Sequence, residues 1–283
     1  MISLINTYRF FLGIIASCVC FSLSIQAQSG FTASAGARSV GIGQITTTLN
    51  GMAAGFGNSA TIPFYRSTGV QVFALQRFNL AELKEIGITT AFSTGKNGSF
   101  FGSIQHYGFD AYQEQKIGIG YGLKLTPTTS ASIQLNAYQF RITEYGNTIQ
   151  PGFEIGIFSQ PFKQISLGAH ISNPIQLKGE NGIRIPTLLR FGGAYHPSIK
   201  VSVYGELEKD IDFPVAVKAG LEYFPVEQFT IRLGAISEPA SVHLGVGYLI
   251  KSKIRVDLGL GYSTLLGITP SVGLSYLPLK SAS

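Results

Sequence analysis

The sequence predicts an all-β protein, a transmembrane antiparallel β-barrel of about fourteen strands with an N-terminal plug in its lumen. Three observations carry that expectation. The 283 residues are 45% hydrophobic and only 13% charged, where a soluble domain carries roughly 25% charge. Mean hydropathy is +0.25, yet beyond the N-terminus no run approaches the roughly 18 to 20 apolar residues that a spanning helix needs. The hydrophobicity lies instead in short alternating runs, and the connections between those runs alternate in length.

The chain opens with a leader. Arg9 precedes "FFLGIIASCVCFSLSI" and then "QAQSG", which reads as a charged n-region, an apolar h-region and a small-residue cleavage site after Ala27. Residues 1–27 are therefore expected to be a signal peptide, with export to the outer membrane of a Gram-negative cell. Both cysteines, Cys18 and Cys20, fall inside it, so the mature chain has no disulfide framework. The stretch "IASC" leaves lipoprotein processing at Cys18 as an alternative. The formal charge of +6 is modest, and no Lys/Arg run marks a nucleic-acid partner.

Residues 28–66 are small, rich in Gly, Ala, Ser and Thr, and weakly periodic. They are expected to form the plug, and 67–283 the barrel. From Gly69 onward, alternating runs bounded by turn residues predict strands at 69–78, 85–94, 99–107, 116–126, 131–145, 152–160, 164–172, 187–195, 199–208, 214–223, 228–236, 240–249, 253–262 and 268–277. Each is near the length of a tilted membrane strand. The first and third alternate poorly. Connections after even strands are short ("GKNG", "PTTS", "PFKQ", "HPSI", "PVEQ", "KSK"). Those after odd strands are mostly longer ("NLAELK", "FDAYQEQ", "YGNTIQ", "NPIQLKGENGIRIP", "EKDIDF", "STLLG"), with "SEP" the brief exception. Outer-membrane barrels have short periplasmic turns and longer external loops.

Side-chain placement follows the same phase. Tyr195, Tyr223, Tyr248 and Tyr276 close even strands at the short-turn end, where an interfacial aromatic girdle belongs. In the later strands, Leu244, Val256 and their in-phase neighbours make an apolar, lipid-directed face. The opposite face carries Lys218, Glu222, Arg232, His243, Arg255 and Asp257 among many glycines. Glycine weakens a strand interior unless something approaches its backbone closely. "KIGIGYGLKL" (116–125) raises the same question, and the plug is the expected occupant of both glycine surfaces. Arg38, if buried there, is expected to pair with Glu154, Glu206 or Glu222.

Chemistry is sparse. His106, His170, His196 and His243 have no metal-ligand spacing, and "GARSVGIG" lacks the preceding strand and the lysine of a phosphate loop. The acids Glu206, Glu208, Asp210 and Asp212 could bind calcium, or could pair with Lys200 or Lys218 in the lumen. Neither a catalytic constellation nor a cofactor is expected.

"GARSVGIGQITTTLNGMAAGFGNSATI" resembles the start of the PorV/PorQ family of Bacteroidota outer-membrane proteins, a branch of the FadL-like transporters. Gly36, Ala37 and Arg38 match the opening motif, while Asn58 and Ala60 stand where an Asn-Pro-Ala motif falls, with Ser59 in place of proline. "FDAYQEQKIGIGYGLKL" and "EKDIDFPVAVKAGLEY" are also similar to stretches of small members. The resemblance implies a fourteen-stranded barrel with an N-terminal hatch. It also implies a non-enzymatic accessory role in type IX secretion, working through protein partners. The alternative it implies is FadL-like passive transport of hydrophobic small molecules. Outer-membrane lipid is a partner in both cases, and a soluble secreted β-protein is the third reading.

Overall fold

The computed structural model describes residues 34–94, 98–144, 146–175 and 185–278. The expected leader, with Cys18, lies outside the described residues. Fourteen strands follow one another: β1 Gly69–Gln76, β2 Lys84–Ser93, β3 Gly98–Phe109, β4 Tyr112–Lys124, β5 Thr129–Ile142, β6 Gly146–Phe162, β7 Ile165–Ser172, β8 Leu188–Ser198, β9 Val201–Asp210, β10 Ala216–Val226, β11 Phe229–Ser237, β12 Ala240–Ile250, β13 Ile254–Ser263 and β14 Gly267–Tyr276. Every strand pairs with its sequence neighbour, and β14 returns to β1 to close the ring. Both closing contacts are antiparallel, with Val70 opposite both Tyr276 and Thr90. Closure leaves no open edge, which is the condition for a sheet to cross a bilayer.

Alternation sets the two faces. Leu233, Leu244 and Leu260 stand side by side across β11, β12 and β13, all pointing outward and about half exposed. Ile119, Leu135 and Phe191 do the same elsewhere on the wall. An exterior this apolar, continuous around the ring, belongs in lipid and not in water.

The connections depart from the expected pattern. "FDAYQEQ" and "YGNTIQ" are ladder, not loop: Phe109 pairs with Tyr112, and Ile142 with Gly146. The hydrogen-bonded ladder outruns the apolar band there, so the side chains turn polar before the pairing ends. On the odd-to-even side the long connections that remain are 77–83 and 173–187.

Inside the ring lies the segment 34–66. It contains helix α1 (Ala37–Gly41), a 3-10 turn (Met52–Phe56) and helix α2 (Thr61–Tyr65). Helix α1 packs against β11 to β14 and β1, the 3-10 turn against β1 to β3, and α2 against β2 to β6. Ala35, Ile42, Ile45, Leu49 and Ile62 are fully buried. No helix among the described residues is long and apolar enough to span a membrane; the strands do so.

Candidate functional site

The plug meets the lumen wall where the wall has no side chains. A Cβ built on Gly41 would lie 3.0 Å from the Gly245 Cα, and one built on Gly245 would lie 2.9 Å from the Gly41 Cα. Gly234 is filled by the backbone of Ile42 and Gly43, and Gly168 by the Thr47 carbonyl. These are backbone-to-backbone approaches that only glycine permits. The β4 stretch "KIGIGYGLKL" is different. Only Gly122 faces the plug, at Pro63, while Gly118 and Gly120 are filled by Gln134, Asn136 and Phe101 of neighbouring strands. The lumen side chains of β3 and β5 are large enough to cover β4 themselves.

The residues of the opening motif hold the plug in place. Gly36, at φ 90°, precedes α1, and Ala37 is buried beneath β13 and β14. Arg38 Nε donates to Glu222 Oε1 at 2.9 Å and Nη2 to Oε2 at 2.8 Å, a bidentate pair. Its remaining nitrogen donates to the Asn50 carbonyl and side chain. Glu222 also accepts from Arg232 Nε at 2.8 Å and from the Tyr204 hydroxyl at 2.7 Å. Arg232 continues to Asp257 at 2.8 Å, and Arg255 sits 3.5 Å from the same carboxylate. Three cations, two acids and a tyrosine thus form one network in the short-turn half of the lumen. Asn58 Nδ2 donates to Thr47 O within the plug and to Ile157 O on β6, at 2.8 and 2.9 Å. Ala60 O accepts from Ser130 on β5 at 2.6 Å.

A second chain of charges crosses the opposite half. Glu206 Oε2 accepts from the Thr46 N–H, the Thr47 N–H and the Thr47 hydroxyl, at 2.8 to 2.9 Å. Lys218 bridges Glu206 at 3.1 Å and Glu208 at 2.8 Å. Glu208 pairs with Arg190 at 2.5 Å, and Glu154 holds Lys116 at 2.5 Å and His170 at 3.2 Å. Lys200, the other cation considered for these acids, is exposed in the turn between β8 and β9, at the far end of the barrel. Among the described residues no group of three His, Cys, Asp or Glu side chains is placed to hold a metal ion. His243 is buried on the lumen face, 3.1 Å from the Ser241 hydroxyl.

Towards β1 to β3 the plug contact becomes mainly apolar, apart from Gln71 and Gln105, which donate to the Ala35 and Ser34 carbonyls. Ala35, Val40, Ile45, Leu49 and Phe56 cluster with Phe73 and Leu75 of β1. The Phe56 and Phe73 rings meet edge to face at 5.0 Å. Next to them Met52, Ala54 and Ile62 pack on Ala91 of β2 and Phe101 of β3. Two hollows lie at the ends of this seam. Between the plug and the odd-to-even connections is a chamber of about 530 Å³, with Val40 and Leu75 among its floor residues and Phe78, Phe213, Ile236 and Leu266 above. Glu208, Lys218 and His243 line its polar side. On the outer wall, a groove of about 500 Å³ is rimmed by Phe92, Phe100, Ile119 and Leu135, and Ala91 and Phe101 line it as well.

Neither hollow was marked by the alternation. Their signals were Phe78 at the end of the first predicted strand, Phe213 and Leu266 within the connections, and the paired Phe100–Phe101, which breaks the period of β3. Tyr195, Tyr223, Tyr248 and Tyr276 all point outward, about half exposed, near the short-turn ends of β8, β10, β12 and β14.

Fold and site together define a plugged, fourteen-stranded transmembrane barrel. Among solved structures it is similar to the toluene transporter TbuX of Ralstonia pickettii, with a TM-score of 0.65 at 12% identity over 86% of this chain and 98% of that one. It is also similar to the Pseudomonas putida toluene transporter TodX, with a TM-score of 0.64 at 13% identity over 89% and 99% of the two chains. The monoaromatic hydrocarbon channel CymD aligns at a TM-score of 0.65 and 12% identity over 89% and 99%. At these identities the likeness is one of fold. No family model matches the chain, and no curated protein sequence matches it.

Proposed function

We propose that this chain is an outer-membrane channel for passive entry of hydrophobic small molecules, closed to ions by its plug. One observation carries the reading: two buried apolar clusters, which both draw residues from the 3-10 turn Met52–Phe56, lie between the chamber and the lipid face. Val40 and Leu75 belong to both the chamber floor and the plug seam. Phe73 and Phe56 continue the seam towards Met52 and Ala54. Ala91 and Phe101 belong to both the seam and the outer groove. Beyond the chamber, whose polar side carries Glu208 and Lys218, a solute moving this way exchanges one apolar surface for another and keeps away from the Arg38–Glu222 network, where burial without hydrogen bonds would be costly.

The fold shared with hydrocarbon channels supports the same reading. A secretion-accessory role rests on the motif resemblance at Gly36, Ala37, Arg38, Asn58 and Ala60. In the structure those residues face the barrel interior, where they hold the plug and present nothing to a protein partner.

The test is first-minute uptake of labelled toluene and of a labelled long-chain solute by cells whose own hydrocarbon channels have been deleted. Expression should raise uptake above the empty-vector level, and Leu75→Lys should abolish the gain. Uptake equal to the vector control would overturn the proposal.

A further inference from the structure

We propose that the short-turn rim of the barrel is a binding surface for the headgroups of anionic phospholipids. The inference does not depend on what passes through the lumen. Among the described residues, exposed charges lie only at the two ends of the barrel, and they are segregated by sign. The short-turn end carries Arg66, Lys163, Lys200, Lys251 and Lys253 against the single acid Glu227. The opposite end carries Glu82, Asp110, Glu144, Asp212 and Glu238 against Lys84 and Arg141. A field of one sign on one rim recruits the opposite charge.

The neighbours of these lysines decide which anionic partner fits. Phe162 precedes Lys163 and is 65% exposed, and Ile199 precedes Lys200 and is 95% exposed. Ile250 and Ile254 flank the Lys251–Lys253 turn, each 38% exposed. An acidic soluble protein or polymer would leave these apolar tips in water. A lipid surface takes both parts: the tip enters the boundary with the acyl chains, and the ammonium reaches back to a phosphate. The outward Tyr195 and Tyr248 stand a few residues before Lys200 and Lys251, and Tyr223 and Tyr276 lie at the same end of the barrel, at the depth where aromatic side chains meet headgroups. The β10–β11 turn departs, with Val226 beside Glu227, and the β4–β5 turn exposes residues 125–128 with no cation among them.

Each lysine close to an anionic surface contributes enough to shift binding by about fivefold, so the rim as a whole should select headgroups. The full-length mature protein in detergent would be incubated with equal amounts of phosphatidylglycerol and phosphatidylcholine. Retained lipid would then be read by native mass spectrometry. Phosphatidylglycerol should be retained at least about fivefold over phosphatidylcholine, and the preference should vanish at high salt. A Lys163→Gln, Lys200→Gln, Lys251→Gln, Lys253→Gln variant should lose it, with gel mobility before and after heating reporting an intact barrel. The Lys84→Gln, Arg141→Gln variant, altered at the opposite rim, should keep it. Equal retention of the two lipids by the wild type would overturn the proposal, as a surface for an acidic soluble partner would give. A preference unchanged in the four-lysine variant, or lost equally in the opposite-rim control, would overturn it too.

Discussion

Gly41 of the plug and Gly245 of β12 stand backbone against backbone, each within 3.0 Å of where the other's side chain would begin. No flexible side chain lies between them to yield. Gly245→Val should therefore cost roughly 1–3 kcal/mol through overpacking, although valine is the better strand residue. Val246→Leu, one position on and facing lipid, should be close to neutral. Unfolding of both variants in detergent micelles checks the difference.

Arg38 and Glu222 are not equivalent halves of their pair. Removing Glu222 leaves Arg38 and Arg232 buried without their shared acceptor, so Glu222→Ala should cost about 3–5 kcal/mol. Arg38→Ala leaves Glu222 with Arg232 and Tyr204, and should spare the strands while loosening the plug. Thermal melting by circular dichroism should separate the two variants. Equal losses would mean that Arg38 supports the wall as much as the plug.

Planar-bilayer recording tests the plug directly. The intact mature protein should pass little steady current. Deleting residues 34–66 should leave a barrel that inserts and leaks ions, and Arg38→Ala should give intermittent openings. A large steady conductance from the intact protein, unchanged by the deletion, would mean an open pore.

Glu206 anchors the plug loop through three hydrogen bonds to one carboxylate oxygen. Hydrogen bonds to a charged group contribute about 1.5–3 kcal/mol each. In Glu206→Leu the Thr46 and Thr47 amides should exchange with solvent far faster, while wall amides of β9 and β10 keep their protection. Hydrogen exchange followed by mass spectrometry reads both segments.

The two-faced wall gives a paired test at adjacent residues. Leu244 points outward and is 53% exposed, whereas His243 points inward and is buried. Leu244→Arg should cost roughly 2–4 kcal/mol near the bilayer midplane. His243→Arg, directed at the chamber and its acids, should cost less. Equal losses in lipid vesicles would remove the assignment of faces.

Strand number and facing were legible because a period of two is imposed residue by residue, and the membrane forbids exceptions on one side. Ile117, Ile119, Tyr121 and Leu123 could not alternate with glycine and lysine for any other reason. Strand ends were less legible. In β4 and β6 the ladder continues through Tyr112–Gln115 and Gly146–Pro151, beyond the apolar band, where hydrogen bonding persists but hydrophobic selection stops. The plug could be recognised by its small residues. The partners of Thr46, Thr47 and Asn58 could not, because they lie 99 to 160 positions away and no local pattern encodes them.

The ring closes by joining β1 to β14, with Val70 against Tyr276, so its last seam forms only once almost the whole chain is available. The plug precedes β1 directly in sequence and is wrapped by strands from every part of the ring. It cannot be threaded into a finished cylinder past the Gly41–Gly245 contact without prising the wall apart. Biogenesis therefore has an order: the N-terminal segment must be gathered against the growing sheet while the β1–β14 edge is still open. So distant a final pairing is slow to find, and the open sheet would meanwhile present two unpaired edges and an uncovered lumen.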